Sequence, residues 1–321
     1  MTRALQAQAL LPNRVYRFYR GGALLARLRG DAEEDGFFPE DWMGSVTPAS
    51  NPGRSEPQAG LSRLVDGRLL RDAIEGDPTG WLGRPHAERL GASTGLLVKL
   101  LDAAERLPVH AHPSRAFARE RLGSRFGKTE AWIVAATRAE AGNVWIGLAE
   151  TVAPEHYRAW IEAQDTEALL ATLNRIEVRA GDIVYVPAGV PHAIGAGVLI
   201  LELQEPTDFS LVCEWKGYPI RAEDAHLALG WEDALAALDL AAHNPVRHLP
   251  EEARAFFWAD ETVAAAARFA VLVVLAGEGS IAGLPARAGD GFVVPAAARA
   301  LEAVGDLRVV RCLGPEPAAV A

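Results

Sequence analysis

From residue 131 to residue 205 the chain is a series of short apolar runs: "AWIVAAT", "NVWIGLA", "NRIEVRA", "DIVYVPAG" and "GVLILELQE". Each is rich in β-branched and aromatic residues and is bounded by Gly, Asp or Pro, which predicts short strands punctuated by turns, as in a β-sandwich or barrel. Three stretches carry a different period. "LLVKLLDAAERL" predicts a helix within 89–105 that gives way to extended chain at Pro108. Leucine, alanine and tryptophan at near-helical spacing predict helices over 154–173 and 223–243. Segments 30–60 and 73–88, rich in Gly, Pro, Asp and Ser, read as loops.

One segment occurs twice. "RAGDIVYVPAGVPH" (179–192) returns as "RAGDGFVVPAAARA" (287–300), and both copies read as turn, strand, turn. The first copy ends on His192 and the second on Ala300, so the chain reads as two related β-rolls of which the second lacks the polar chemistry. A polar, Pro-containing connector at 243–252 places the division between a unit of residues 1–245 and one of residues 246–321.

Composition narrows the function classes. With 321 residues, half of them hydrophobic, the chain has ample material for a core. Two cysteines, Cys213 and Cys312, are too few for a disulfide framework, and the first twenty residues contain no apolar signal core, which together predict a cytoplasmic protein. No apolar run is long enough to span a membrane. A formal charge of -10 argues against a nucleic-acid partner and directs attention to small molecules. Only Lys99, Lys128 and Lys216 are lysines among 32 basic residues, so a lysine at any position is a departure from the chain's habit.

The candidate chemistry begins at "LPVHAHPSR". On an extended strand His110 and His112 point to the same face. Glu130 opens the run that follows "GKT", and His192 ends the strand-turn segment "IVYVPAGVPH". Three histidines and a carboxylate on neighbouring strands can surround one divalent ion and leave a position for substrate or water. His86, His156, His226, His243 and His248 have no such company and read as ordinary surface or core residues. No nucleophile elbow or glycine-rich phosphate loop is present.

The motifs "LLVKLLDAAERLPVHAHP", "GKTEAW" (127–132) and "VPAGVPHAIGAGVLILELQ" (186–204) together resemble the short bacterial mannose-6-phosphate isomerases, zinc-dependent members of the cupin superfamily. "YRGGALLARL", "DWMGSVTPASNP" and "GLSRLVDGRLL" are similar in order and spacing to the family's N-terminal portion, so the resemblance covers most of residues 15–215. It implies a mainly β cupin fold, a double-stranded β-helix or jelly-roll with helical insertions, followed by a degenerate cupin-like β domain without metal ligands. It implies metal ligation by His110, His112, Glu130 and His192. Where the family usually has glutamine this chain has His110, so manganese, iron, cobalt or nickel suit the site as well as zinc.

The implied reaction interconverts mannose 6-phosphate and fructose 6-phosphate by moving a proton through an enediol. Lys128, two residues from Glu130, is a candidate for proton transfer or for holding a substrate anion, and the resemblance puts Lys99 near the substrate phosphate. Glu202 and Asp208 match acidic positions of the family and can be proton shuttles or orienting groups; Lys99, Trp132 and Arg221 form the expected substrate-binding set. One departure stands out. The family carries an active-site arginine in a stretch like "SDTTYRVYDW", whereas "TDFSLVCEW" (207–215) has Leu211 or Val212 there, leaving Lys216 or Arg221 to replace it. Alternatives are an isomerase of an unphosphorylated sugar, a cupin using a redox metal with dioxygen, and a metal protein that binds sugar without turnover. The expected partner in each sugar reading is a small sugar or sugar phosphate, bound by a monomer or homodimer.

Overall fold

The computed structural model describes residues 5–316 except 52, 55 and 299. Its centre is a six-stranded antiparallel sheet in which Glu40–Met43, Leu97–Ala103, Val198–Gln204, Glu130–Thr137 and Ile183–Val186 lie side by side, with Arg14–Val15 at one edge. A second sheet faces it, ordered Leu211–Val212, His110–Ala111, His192–Ile194, Gly142–Leu148 and Leu173–Val178. The two sheets enclose Leu101, Trp132, Val144, Ile146, Val184 and Ile200, the interior of a cupin jelly-roll.

The central sheet has a second dry face. Val98, Leu100, Ala131, Ile133, Leu199, Leu201 and Leu203 pack against Val271, Val273, Val293 and Val310 of a third sheet, built from Ala270–Ile281, Gly291–Val294, Ala303–Leu313 and Trp258–Asp260. Leu284–Arg287 pairs with the far end of Ala270–Ile281, and Gln8–Ala9, from the opposite end of the chain, pairs with Gly291–Val294 as the sixth strand. Helices Pro154–Ala163 and Thr166–Ala171 cover the outer face of the site-bearing second sheet through Tyr157, Ile161 and Leu169.

The five apolar runs between 131 and 205 are the expected strands, but "LLVKLLDA" is not a helix. Leu97–Ala103 is a strand buried at every position, and its apolar run follows from being covered on both faces. A short unbroken apolar run carries no periodicity that separates a buried strand from a buried helix. The helix expected over 223–243 breaks into the short turns Ala222–Asp224, Trp231–Ala234 and Leu235–Ala237, because Leu227 and Ala228 adopt left-handed backbone (φ 54° and 61°). These turns pack Ala234 and Ala237 on Leu211 and so close one end of the second sheet. Conversely, the expected loop over 73–88 contains helix Pro78–Leu82 and most of Leu70–Gly76 and Arg84–Leu90. Proline in the first turn is compatible with a helix, and the Asp77 carboxylate caps one of them by accepting from the Gly80 N–H.

The repeat is a repeat of structure. Asp182 accepts from the Arg179 N–H at 2.9 Å and donates its own N–H to the Arg179 carbonyl at 3.0 Å; Asp290 and Arg287 make the same two bonds, both at 3.0 Å. Gly181 (φ 96°) and Gly289 (φ 87°) take the positive φ of each turn. No helix among the described residues is long and apolar enough to cross a membrane.

Because one face of the central sheet and the third sheet share a core, Leu201→Ala should destabilise the whole chain, by about 2–5 kcal/mol for a fully buried leucine. Urea denaturation should show a lower midpoint with an unchanged slope. An unmoved midpoint would contradict the shared core.

Candidate metal centre and adjoining cavity

Strand register brings the histidines together. His192 pairs directly with His110 across the second sheet, and His112 follows two residues after His110 on the same face. Their ring centroids lie 4.2 Å (His110 to His192), 5.0 Å (His110 to His112) and 4.9 Å (His112 to His192) apart. Glu130 reaches the same point from the facing central sheet, where it opens the strand Glu130–Thr137. Three imidazoles from one sheet thus meet one carboxylate from the other.

The outer ring nitrogens fix the protonation state. Nδ1 of His110, His112 and His192 each lies 2.8 Å from a backbone carbonyl, of Pro108, Phe209 and Val190 respectively. A carbonyl oxygen only accepts, so each Nδ1 carries the proton and each Nε2 offers a lone pair. The Nε2 atoms of His110 and His192 face each other at 3.0 Å with no hydrogen to share. Glu130 adds its oxygens 3.2 Å from His112 Nε2 and 3.3 Å from His192 Nε2. Its buried Oε2 lacks an aligned hydrogen-bond donor among the described residues, although the Lys128 ammonium lies 3.0 Å away.

Burial holds all three imidazoles neutral. It pushes His110 well below its ordinary pKa, aided by His192 and His112, and it lowers His192 against the pull of Glu130. His112 falls to about 3 through burial and the neighbouring Lys128. For Glu130 burial acts upward, yet Lys128 and His112 outweigh it and keep the carboxylate well below its usual range. Convergent lone pairs on neutral imidazoles and one anionic oxygen with no aligned donor are what a divalent cation requires, and the residues therefore fit one. His110, His112 and His192 are within ligation distance of a common point. Lys128 Nζ already contacts His112 Nε2 at 2.7 Å, so a cation at this locus satisfies the lone pair there.

A cavity of about 320 Å³ opens beside the histidines, at the small end for ligand pockets. His110, Lys128, Lys99, Glu202 and Asp208 all line it. Lys99 and Glu202 are cross-strand partners in the central sheet, and Lys99 Nζ lies 3.0 Å from Glu202 Oε2. Burial pushes the Glu202 carboxyl above its ordinary 4.5 despite Lys99. Asp208 is tied by two bonds to Arg17 and accepts a third from the Ser50 N–H at 2.8 Å. Burial acts upward on Asp208 too, but Arg17 outweighs it and holds the carboxyl low.

Two members of the expected substrate-binding set lie elsewhere. Trp132 is fully buried in the jelly-roll interior, where its Nε1 donates to Glu130 Oε1 at 3.0 Å; it orients the carboxylate and does not line this cavity. It lies two residues after Glu130 on the same strand and so shares the inner face. Arg221 is exposed and paired with Asp224 and Glu223, and Lys216 lines a separate open depression beside Gln164 and Glu214. Val212, where an arginine was expected, lines the cavity as an apolar wall.

The buried guanidinium in the cavity comes from Arg17, near the other end of the chain, with Arg54 also in the lining. Its Nε lies 2.9 Å from Glu40 Oε1, and Glu40 also accepts from Tyr19 Oη and Trp42 Nε1. Burial opposes ionisation of Glu40, but Arg17 and Lys99 outweigh it and hold the carboxyl at about 2. Sequence reading missed Arg17 and Glu40; the alternation of aromatic and basic residues in "VYRFYR" was the available signal.

No protein-family model matches the chain. A mannose-6-phosphate isomerase from Streptococcus mutans is 41% identical to it over 138 residues, which is 42% of this chain and 42% of that protein, so less than half of either is matched. Among solved structures, a mannose 6-phosphate isomerase from Bacillus subtilis superposes with a TM-score of 0.71 at 22% identity, covering 96% of this chain and 99% of that one. A mannose 6-phosphate isomerase bound with zinc and yttrium gives 0.71 at 17% identity, covering 97% and 100%. The chain is thus similar in sequence to mannose-6-phosphate isomerases over part of its length, and it shares the cupin fold of phosphomannose isomerases over nearly all of it.

Proposed function

We propose that this chain is a metal-dependent aldose–ketose isomerase of the mannose-6-phosphate isomerase type. The observation that carries the reading is the convergence of three Nε2 lone pairs and Glu130 on one point beside a cavity of monosaccharide size. His110, His112, His192 and Glu130 would hold the divalent ion, zinc first among the candidates for a three-imidazole, one-carboxylate set. Bound there, it would supply Lewis-acid polarisation of a substrate oxygen.

The chain's own residues then account for the proton. Isomerisation removes a proton from the carbon beside the carbonyl and returns it to the former carbonyl carbon, while a second proton passes from the hydroxyl oxygen to the former carbonyl oxygen; one base that becomes an acid suffices for the carbon-bound proton. Glu202 is the side chain best prepared for this, since burial raises its carboxyl toward neutrality and it faces the cavity. Lys99, locked beside it, fixes its orientation and presents an ammonium to a sugar hydroxyl. Lys128, between His112 and the cavity, can donate to the oxygen on which charge develops. Asp208, bound by Arg17 and Ser50, acts as an anchor for Arg17 more than as a proton carrier. Residues 1–245 would form the catalytic unit and residues 246–321 a cupin-like unit that covers its back, in a cytoplasmic protein whose two cysteines are free and buried.

The direct test is proton NMR of the zinc- and manganese-loaded protein with aldoses and ketoses, free and phosphorylated. At least one pair should interconvert; full metal occupancy with no interconversion of any pair would end the reading. His112→Ala should lose bound metal by elemental analysis and activity together, with its far-UV spectrum unchanged. Retention of wild-type metal would put the centre elsewhere.

Glu202→Gln should lower kcat by about 10²–10⁴ while keeping its metal, the range for a lost general base. The base acts ionised, so wild-type activity should fall as pH drops through a value above 4.5, the ordinary carboxyl figure. That acid limb should vanish from the residual activity of Glu202→Gln; an unchanged limb would assign the base to another group.

A further inference from the structure

Two guanidinium groups line the cavity among the described residues, and they differ in their access to water. Arg17 is buried against Glu40 and Asp208, whereas the Arg54 side chain is 41% exposed and that of its partner Glu56 45%. Exposure therefore puts Arg54 at the mouth. Its Nε and Nη2 both donate to a single oxygen of Glu56, and its guanidinium lies 4.0 Å over the ring of Tyr16, which also lines the cavity. The loop that carries it is tied to the site. The Arg54 N–H closes a turn on the Asn51 carbonyl at 3.0 Å, with Gly53 at positive φ (78°). Just before that turn, Ser50 donates its N–H to Asp208 at 2.8 Å and accepts from Arg17 Nη1 through its carbonyl at 3.3 Å.

The proposed reaction assigns the two ends of the cavity. Carbons C1 and C2 of a hexose 6-phosphate exchange the proton, so they lie at the histidine cluster and Glu202, and the ester on C6 lies at the far end of the molecule. Lys128, 2.7 Å from His112 Nε2, and Lys99, 3.0 Å from Glu202 Oε2, stand at the reacting end. Leu211 and Val212 withhold the arginine expected from the strand after Asp208. A guanidinium suits a phosphate through its parallel N–H donors, and two are at hand. Drawing Arg17 onto a phosphate would part it from Glu40 and Asp208 and leave Glu40 a buried charge with one partner fewer. Arg54 carries no such cost, since an exposed ion pair is worth little and a released Glu56 stands in water.

We propose that Arg54 binds the phosphate ester of the substrate at the cavity mouth, exchanging Glu56 for it, and so gives this chain a preference for a phosphorylated over a free sugar. This rests on the isomerase reading above and names the residue that sets its substrate class.

The kinetic test uses metal-loaded protein with mannose 6-phosphate and free mannose, followed by NMR. Arg54→Ala should raise KM for the ester at least about tenfold, the effect of losing a hydrogen bond to a charged group, and leave kcat, bound metal and any turnover of free mannose unchanged. Glu56→Gln removes the competing carboxylate and should lower the same KM. An unchanged KM for the ester in Arg54→Ala, or an equal loss on ester and free sugar, would overturn the assignment.

Binding gives a readout apart from turnover. Mannitol 6-phosphate, which has no carbonyl to isomerise, should raise the melting temperature of the metal-loaded parent, raise that of Arg54→Ala less and that of Glu56→Gln more. Arg54→Lys should recover part of the shift, and unphosphorylated mannitol should treat all four proteins alike. If this pattern held while the parent turned over no sugar, the isomerase reading would fall and the phosphate subsite would stand. Turnover of mannose 6-phosphate together with equal shifts for the parent and Arg54→Ala would keep the reading and remove the subsite.

Discussion

A sheet with no wet face carries Glu40, Lys99, Glu130 and Glu202 on its inner side, and the site is organised around neutralising them. Isolated charges in such a place are costly enough that each must find a partner or lose its charge. Lys99 and Glu202 do so in register across adjacent strands. Glu40 is answered by Arg17 from the N-terminal segment, and Arg17 in turn draws Asp208 in from the loop after the central strand. Glu130 takes Lys128 and the histidine cluster. The imidazoles meet the same constraint by staying neutral, which turns a cost of burial into three available lone pairs.

Much of this was legible in the sequence because it depends on spacing within a strand. Period two puts His110 with His112, and it puts Glu202 and Gln204 on the face opposite Leu199, Leu201 and Leu203. A lone lysine in "LLVKLLDA" and a lone glutamate in "VLILELQ" are charges set in apolar runs, visible before any fold is known. What turns them into a pair is strand adjacency, and adjacency of Leu97–Ala103 with Val198–Gln204 is a property of the topology.

The features that could not be read are those set by distant closures. Arg17 and Asp208 are separated by 191 residues, and no local pattern announces that one will meet the other. The misread helix has the same origin: Leu97–Ala103 is buried throughout because a third sheet covers its back, and that sheet lies far downstream. Trp132 was expected in the substrate-binding set. Its position on the inner face of a buried strand instead commits its single donor to Glu130, where it fixes the carboxylate's orientation.

The two copies of the Arg-Ala-Gly-Asp turn separate what the fold needs from what the chemistry needs. Both copies keep the reciprocal bonds between arginine backbone and aspartate and the glycine at positive φ, since a strand must be started in each sheet. Only the first continues through a second proline to His192, which pairs with His110 and completes the histidine cluster. The second ends at Ala300. Its strand Gly291–Val294 nevertheless supplies Val293 to the core behind the site. A copy with no histidine cluster is free to fill its inner positions with apolar side chains, and that filling covers the face of the central sheet turned away from the site. The pairing of charges in the cavity is therefore enforced in part by a unit that contributes no ligand to it.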